Sequence, residues 1–127
     1  MNETEELTPA IRLSWCRDTS STPSEWSLDN PARGQCVATV LVVQDYLGGD
    51  LEKLVTLYHD KEESHYRNVL PNGDIYDITS IQYPSGQVLI ASQVILNGFK
   101  SIREKRLNDL ATFNRYSLLS SRVKDQL

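Results

Sequence analysis

Residues 30–49 read NPARGQCVATVLVVQDYLGG, a polar, turn-prone segment followed by an apolar one. Cys36 stands at the junction, and no charged residue lies between it and Val43. Gly48 and Gly49 follow the apolar segment, as glycine commonly does just past the end of a helix. This segment therefore places a thiol directly before an apolar element that should be buried.

The apolar segment has features of both a helix and a strand. Cys36, Val40, Val43 and Leu47 share one helical face, at steps of four, three and four. The many valines, together with a threonine, favour instead a buried strand from Cys36 to Val43. Because the run from Gln35 to Leu47 is uninterrupted and longer than most strands, we predict a helix and keep the strand as the alternative.

The position of Cys36 indicates a chemistry. A thiol in the first turn of a helix lies at the positive end of the backbone dipoles, which favours the thiolate. Gly34 lets the chain turn closely into the helix, so we expect Cys36 at its exposed first turn. This placement is typical of a nucleophilic cysteine, although it does not identify a substrate.

The flanking sequence predicts helices at both ends and strands between them. Thr8-Pro9 is typical of a helix start, which predicts a helix over about 9–17 after a flexible segment, 1–7. A loop held by Trp26 follows. Further predictions are strands over about 51–58 and 87–96, the second with a helix as its alternative, and a C-terminal helix that Asn108 caps.

A hairpin is expected at residues 71–74, which read Pro-Asn-Gly-Asp between two strand-like runs, 65–70 and 75–79. Asn-Gly in this setting is the strongest short signal for a two-residue turn. A turn centred on Asn72-Gly73 would pair Asp77 with Asn68 and place His65 three positions further along. His65 and Asp77 should therefore lie on neighbouring strands.

Length and composition bound the class of protein. The 127 residues, 39% hydrophobic and 24% charged, predict one domain over 1–127 with its own core, and neither disorder nor a membrane span. The predicted fold is α+β, with a small antiparallel sheet packed on the Cys36 helix and helices at both ends. An acidic N-terminus without an export signal predicts a cytoplasmic protein in which Cys16 and Cys36 are not disulfide-linked.

Charge is unevenly distributed along the chain. Residues 100–127 hold seven basic and three acidic residues, a net charge of +4, and the other six basic and fourteen acidic residues give −8. A basic end could meet an acidic partner or nucleic acid. The alternative is a solvated face of a C-terminal helix, which we favour because the whole chain is acidic and no nucleic-acid module is visible.

Cys36, His65 and Asp77 are the candidate catalytic residues. An imidazole can take the proton of a thiol, and a carboxylate can fix the imidazole tautomer and support its positive charge. Taken singly, the cysteine could be a core residue, the histidine structural and the aspartate a turn former. A weaker alternative is a metal site, since two histidines and several acids lie near in sequence: Cys36, His59, Asp60, Glu62, Glu63, His65 and Asp77.

Several runs resemble the YunG-like family of small bacterial proteins, and together they cover most of the chain from Ser14 to Val123. The most telling of them are Gly34-Gln35-Cys36, Gln44-Asp45-Tyr46-Leu47-Gly48-Gly49, Ser64-His65-Tyr66, Leu70-Pro71-Asn72-Gly73 and Asp77-Ile78-Thr79. Tryptophan often follows the tyrosine of the histidine motif in that family, whereas Arg67 stands here. The resemblance carries no activity with it.

A more remote resemblance, to papain-like and transglutaminase-like domains, does imply a chemistry. Those domains place a cysteine at a helix start, a histidine on a strand and an Asp or Asn on the adjacent strand. In the transglutaminase-like core a threonine often stands two residues after the aspartate, as Thr79 follows Asp77 here. The resemblance implies a hydrolase or acyltransferase that acts through a thioester on a peptide, amide or protein, without a cofactor.

Such an enzyme also needs an oxyanion hole. The backbone N–H of Cys36 and a side-chain amide from Gln35 or Asn30 are the candidates, with a turn-shaping role as the alternative for Asn30. Many proteins of this superfamily have lost catalysis, so a catalytically inactive binding module is the second hypothesis for the whole chain.

Overall fold

The computed structural model describes residues 3–127 as four helices and a four-stranded antiparallel sheet. Helix α1 spans Glu3–Ser14, α2 Cys36–Leu47, α3 Ile102–Leu107 and α4 Leu110–Gln126. Strands β1 (Asp50–Tyr58), β2 (Lys61–Val69), β3 (Ile75–Tyr76) and β4 (Ile90–Ser92) form a sheet in the order β3-β2-β1-β4. The α+β prediction is therefore confirmed.

The apolar segment after Cys36 is a helix, as predicted. Gly48 ends α2 with a φ of +73°, and its N–H donates to the carbonyl of Gln44. Burial of α2 outweighs its β-branched composition, because seven of its residues are buried: Cys36, Ala38, Thr39, Val40, Leu41, Val42 and Val43. The strand alternative is wrong.

Helix α1 differs from the prediction at its start. It begins at Glu3, so Pro9 lies inside it instead of at its first position. The flexible segment expected over 1–7 does not extend to residues 3–7, which are helical, with Leu7 buried against the core. Residues 1 and 2 lie outside the described residues.

The hairpin forms, but its register is shifted by one residue. Gly73 N–H donates to the Leu70 carbonyl, so the turn centres on Pro71 and Asn72. Gly73 then adopts a φ of +90°, which makes a three-residue loop. The observed pairs are Asn68 with Tyr76 and Val69 with Ile75, instead of Asn68 with Asp77. Proline fixes its own φ near −65°, and this favours it as the first central residue of the turn.

Two further elements differ from the prediction. The strand expected over 87–96 is reduced to β4, and Asp109, not Asn108, caps α4 by accepting the N–H of Thr112. Within residues 3–127, no helix has both the length and the apolar character needed to cross a membrane.

Two apolar clusters hold the helices and the sheet together. The larger lies among α1, α2 and α4 and includes Leu7, Ile11, Val42, Val43, Leu119 and Val123. The smaller contains Cys36, Val40 and Tyr66, with Val37, Leu51 and Ile102 packed against it. Because Tyr66 belongs to β2, the second cluster brings the start of α2 against the strand that carries His65.

Candidate functional site

Cys36 is the first residue of α2. The preceding residue, Gln35, is the N-cap, but its side chain makes no hydrogen bond to the first turn of the helix. The first helical bond runs from Thr39 N–H to the Gln35 carbonyl at 3.0 Å. The N–H groups of the first turn therefore have no carbonyl partner within the helix. The Cys36 side chain was expected to be exposed but is buried, at 8% exposure, because Val40 and Tyr66 cover it. Cys16 and Cys36 are both free thiols.

His65 and Asp77 meet side chain to side chain. The Nε2 atom of His65 lies 2.8 Å from one carboxylate oxygen of Asp77 and 3.0 Å from the other. His65 is fully buried on β2, opposite Leu54 of β1. Asp77 follows directly after β3, so the hairpin carries the carboxylate to the imidazole.

The second imidazole nitrogen of His65 is not engaged by Asp77. This atom, Nδ1, is buried and has no hydrogen-bond partner among residues 3–127. Burial disfavours the imidazolium, but the Asp77 carboxylate and the interaction with the Cys36 sulfur outweigh this and raise the pKa of His65 to about 9. Since Asp77 occupies Nε2, Nδ1 is the imidazole nitrogen that is free to accept a proton.

Asp77 also shapes the turn that follows it. Its Oδ1 atom accepts the backbone N–H of Ser80 at 3.2 Å and lies 3.4 Å from the Thr79 hydroxyl. From the sequence, a turn-forming role and a contact with His65 were alternative interpretations of Asp77, but the structure shows both. The carboxylate is therefore held from two sides, which fixes its orientation toward the imidazole.

The two side-chain amides named for the oxyanion hole are bonded to the surrounding loops. The Gln35 amide is fully buried, donates to the Cys16 carbonyl at 2.9 Å and accepts the Thr19 hydroxyl at 2.7 Å. The Asn30 amide donates to the Gln82 carbonyl at 3.0 Å. The third candidate donor is the backbone N–H of Cys36, which belongs to the same residue as the thiol.

Sequence reasoning missed a polar network beside His65. Buried Arg33 donates to Glu63 through two nitrogens at 2.7 and 2.6 Å, and to Glu25 at 2.9 and 2.7 Å. Tyr83 donates its hydroxyl to Glu63 at 2.6 Å and packs edge-on against the His65 ring, with centroids 5.5 Å apart. One signal was available: Glu63 and His65 stand two apart on β2 and so share a face.

This network changes the ionisation of its members. Burial favours the neutral acid of Glu63, but the hydrogen bonds from Arg33 and Tyr83 outweigh it and lower the pKa of this carboxyl. Burial, followed by the bond to Glu63, raises the pKa of Tyr83. Tyr83 therefore stays a neutral donor, and its ring is held against His65.

The metal alternative does not match the structure. Among residues 3–127, no group of three or more histidine, cysteine or acidic side chains could hold a metal ion. His59 lies in the turn after β1 with a φ of +51°, and its ring lies next to that of Tyr58. His65 is already hydrogen-bonded to Asp77. Among the acids of this region, Glu63 binds Arg33 instead.

Fold and site together define a small α+β protein in which a free cysteine at a helix start packs against the strand that carries a carboxylate-bound histidine. The chain belongs to the YunG protein family, whose family model matches residues 3–127. It is similar to the uncharacterized protein YunG of Bacillus subtilis (strain 168), with 38% identity over 73 residues. That alignment covers 58% of this chain and 56% of the relative, so the chain spans little more than half of the relative's length. No solved structure matches the chain.

Proposed function

We propose that this protein is a cysteine-dependent hydrolase or acyltransferase that cleaves an amide or thioester, built on a papain-like arrangement of helix and sheet. The observation that carries the proposal is the approach of Asp77 to Nε2 of His65 at 2.8 Å, which leaves Nδ1 for the Cys36 thiol. The three side chains come from α2, β2 and the residue after β3, and the packing of Cys36 against Tyr66 of β2 supports their convergence.

In the proposed reaction, His65 Nδ1 takes the thiol proton and the Cys36 sulfur attacks the carbonyl carbon of the substrate. The resulting oxyanion accepts hydrogen bonds from the N–H groups at the start of α2. The C–N or C–S bond then breaks, and the imidazolium returns its proton to the departing amine or thiol. Water, deprotonated by His65, or a second amine cleaves the thioester and restores the thiol.

Asp77 acts in this scheme as a positioning residue. Its carboxylate holds the His65 tautomer with the hydrogen on Nε2 and stabilises the imidazolium that forms when the thiol gives up its proton. The raised pKa of His65 supports this role, since the cation is the form that the carboxylate favours. Tyr83 packs against the same ring and limits its rotation.

The second candidate is the inactive binding module, and burial is the observation that favours it. Cys36 is 8% exposed and His65 is not exposed at all. A substrate would reach the sulfur only after a movement of the surrounding side chains. A protein that had kept the fold without the reaction would also bury these groups.

Thiol labelling and acyl transfer separate the two candidates. In a Cys16→Ala background, we expect iodoacetamide at pH 7 to label Cys36 roughly tenfold faster than free glutathione. We also expect p-nitrophenyl acetate to leave an acetyl group on Cys36 that mass spectrometry detects. Cys36→Ala should abolish both and change the thermal midpoint little.

The two histidines provide a matched pair of variants. His65→Ala should slow labelling near neutral pH, and Asp77→Asn should slow it less, whereas His59→Ala should leave it unchanged because His59 lies in the turn after β1. Labelling no faster than glutathione, or equal effects of the two histidine variants, would favour the inactive binding module.

A further inference from the structure

A recess of about 360 Å³ opens beside Tyr66, the residue that follows the candidate histidine. Strands β1 and β2 contribute Lys53, Ser64 and Tyr66 to its lining, and helix α3 contributes Lys105 and Arg106. The segment after β4 supplies the rest. This volume is within the usual range for small-ligand sites in proteins.

The recess carries positive charge without acidic partners. Its lining contains three basic residues and no aspartate or glutamate, and none of the three forms an ion pair within residues 3–127. Lys105 donates to the Ile95 carbonyl, which is a neutral acceptor. Exposed Asp109 lies within electrostatic range of Arg106 but does not pair with it.

Arg106 has an unused donor inside the protein. Its Nη2 atom lies 3.3 Å from the Thr112 hydroxyl, and its guanidinium lies 5.8 Å from the centre of the Tyr66 ring. Its Nε atom is buried and has no hydrogen-bond partner among the described residues. A buried N–H without an acceptor is costly, so an acceptor that reached this atom would be stabilised.

The recess adjoins the candidate site through two elements. Ile102 packs against the cluster that contains Cys36, and Lys105 and Arg106 lie three and four residues later on the same face of α3. Tyr66 belongs to the same cluster and also lines the recess. Lys53 lies directly opposite Tyr66 in the β1–β2 pairing.

We infer that this recess binds a carboxylate of the substrate, so that the protein acts on acidic peptides or on amides of acidic amino acids. A guanidinium with a free Nε–H matches a carboxylate oxygen, and the lysines add charge without a fixed geometry. The inference rests on the proposed function for its substrate, but the binding of a carboxylate in the recess can be tested without any reaction.

Binding is tested with two ligands that differ only in charge. N-acetylglutamic acid α-amide and N-acetylglutamine α-amide are added to the full chain, and backbone amide shifts are followed by NMR. We expect the acidic ligand to shift resonances of Lys53, Tyr66 and α3 and to bind at least roughly threefold more tightly. Arg106→Gln should remove that preference, and Lys124→Gln, exposed near the end of α4, should keep it.

Labelling of Cys36 provides the second test. Iodoacetate and iodoacetamide alkylate the same thiol and differ in charge, so the ratio of their rates reports the field at the sulfur. We expect Lys53→Gln, Lys105→Gln and Arg106→Gln each to lower the iodoacetate-to-iodoacetamide ratio roughly threefold, with iodoacetamide itself little affected.

The outcomes separate the two proposals. Fast iodoacetamide labelling with an unchanged rate ratio in all three variants would overturn the carboxylate site in the recess and leave the proposed function standing. Slow labelling together with charge-dependent NMR shifts would overturn the proposed function and keep the carboxylate site. Equal binding of the two ligands, or tighter binding of inorganic phosphate than of the carboxylate, would overturn the recess as a carboxylate site.

Discussion

Basic side chains lie next to residues of β2 at two places, beside Glu63 and beside Tyr66, and the two places differ in whether acids accompany the basic side chains. Arg33 is buried and bound by Glu25 and Glu63, with Gln82 Oε1 at 2.9 Å and the Tyr58 ring at 4.4 Å. The recess beside Tyr66 holds three basic residues without one acidic neighbour in its lining. The same residue types are thus used in two different ways within one small fold.

The difference separates charge that builds the structure from charge that is available to a ligand. Removing a guanidinium from water is costly, and Arg33 offsets this cost through its hydrogen bonds to two carboxylates. The cations of the recess retain contact with solvent and have no such bonds. Removing these cations should weaken ligand binding more than it lowers the free energy of unfolding.

The largest expected loss of stability follows removal of Arg33, the cation that is paired with acids. Arg33→Met leaves Glu25 and Glu63 without their cation and removes the guanidinium from the Tyr58 ring, so we expect a loss of about 4 kcal/mol in the free energy of unfolding. Urea denaturation measures it. Arg103→Met removes an ion pair of similar length, 2.7 Å to Asp45, from a more exposed position and should cost at most about 1 kcal/mol. Equal losses would erase the distinction between the two kinds of arginine.

A second effect comes from His65, which lies beside the paired network. Its pKa of about 9 in the folded protein exceeds the usual 6.5, so the folded state binds the proton more tightly. The resulting stabilisation is complete below pH 6.5 and is lost as the pH rises through 9. The loss should be roughly 3 kcal/mol between pH 6 and pH 10.

Urea denaturation at several pH values checks this dependence. His65→Gln lacks the titrating group and should show little of the loss, and Asp77→Asn should show less than the wild type because the supporting carboxylate is gone. A wild-type stability that stays level across this range would show that the imidazole gains nothing from Asp77 and Cys36.

The smallest expected effect is in the recess. Lys53→Gln and Lys105→Gln remove unpaired cations, so each should change the free energy of unfolding by less than about 0.5 kcal/mol. Thermal and urea denaturation both apply. A loss comparable to that of Arg33→Met would mean that these lysines support the fold, and the contrast between the two regions would fail.

The sequence predicted the local elements better than the way they meet. The α2 helix could be predicted because its uninterrupted length and the two glycines after it are local signals. The Arg33 network was not, since its partners lie 8 and 30 residues away and come from a loop and a strand. The recess likewise combines β1, β2 and α3, which no spacing in the sequence connects.

The contact of His65 with Asp77 was expected on neighbouring strands, although the register predicted for the hairpin was wrong. The two-residue turn would have placed Asp77 in phase with Asn68. The three-residue loop around Pro71 and Asn72 shifts the pairing by one residue and puts Asp77 in phase with Arg67, and so with His65 two residues earlier. A shift of one residue exchanges the two faces of a strand, so the corrected register is the one that allows the contact.

The double role of Asp77 has a consequence for communication within the protein. One carboxylate fixes the imidazole on one side and the start of the segment 78–100 on the other, so the two are mechanically linked. Coupling of this kind acts in both directions. A molecule that orders or displaces that segment would therefore change the alignment of His65. Protonation of His65 would in turn be transmitted through Asp77 to the start of that segment.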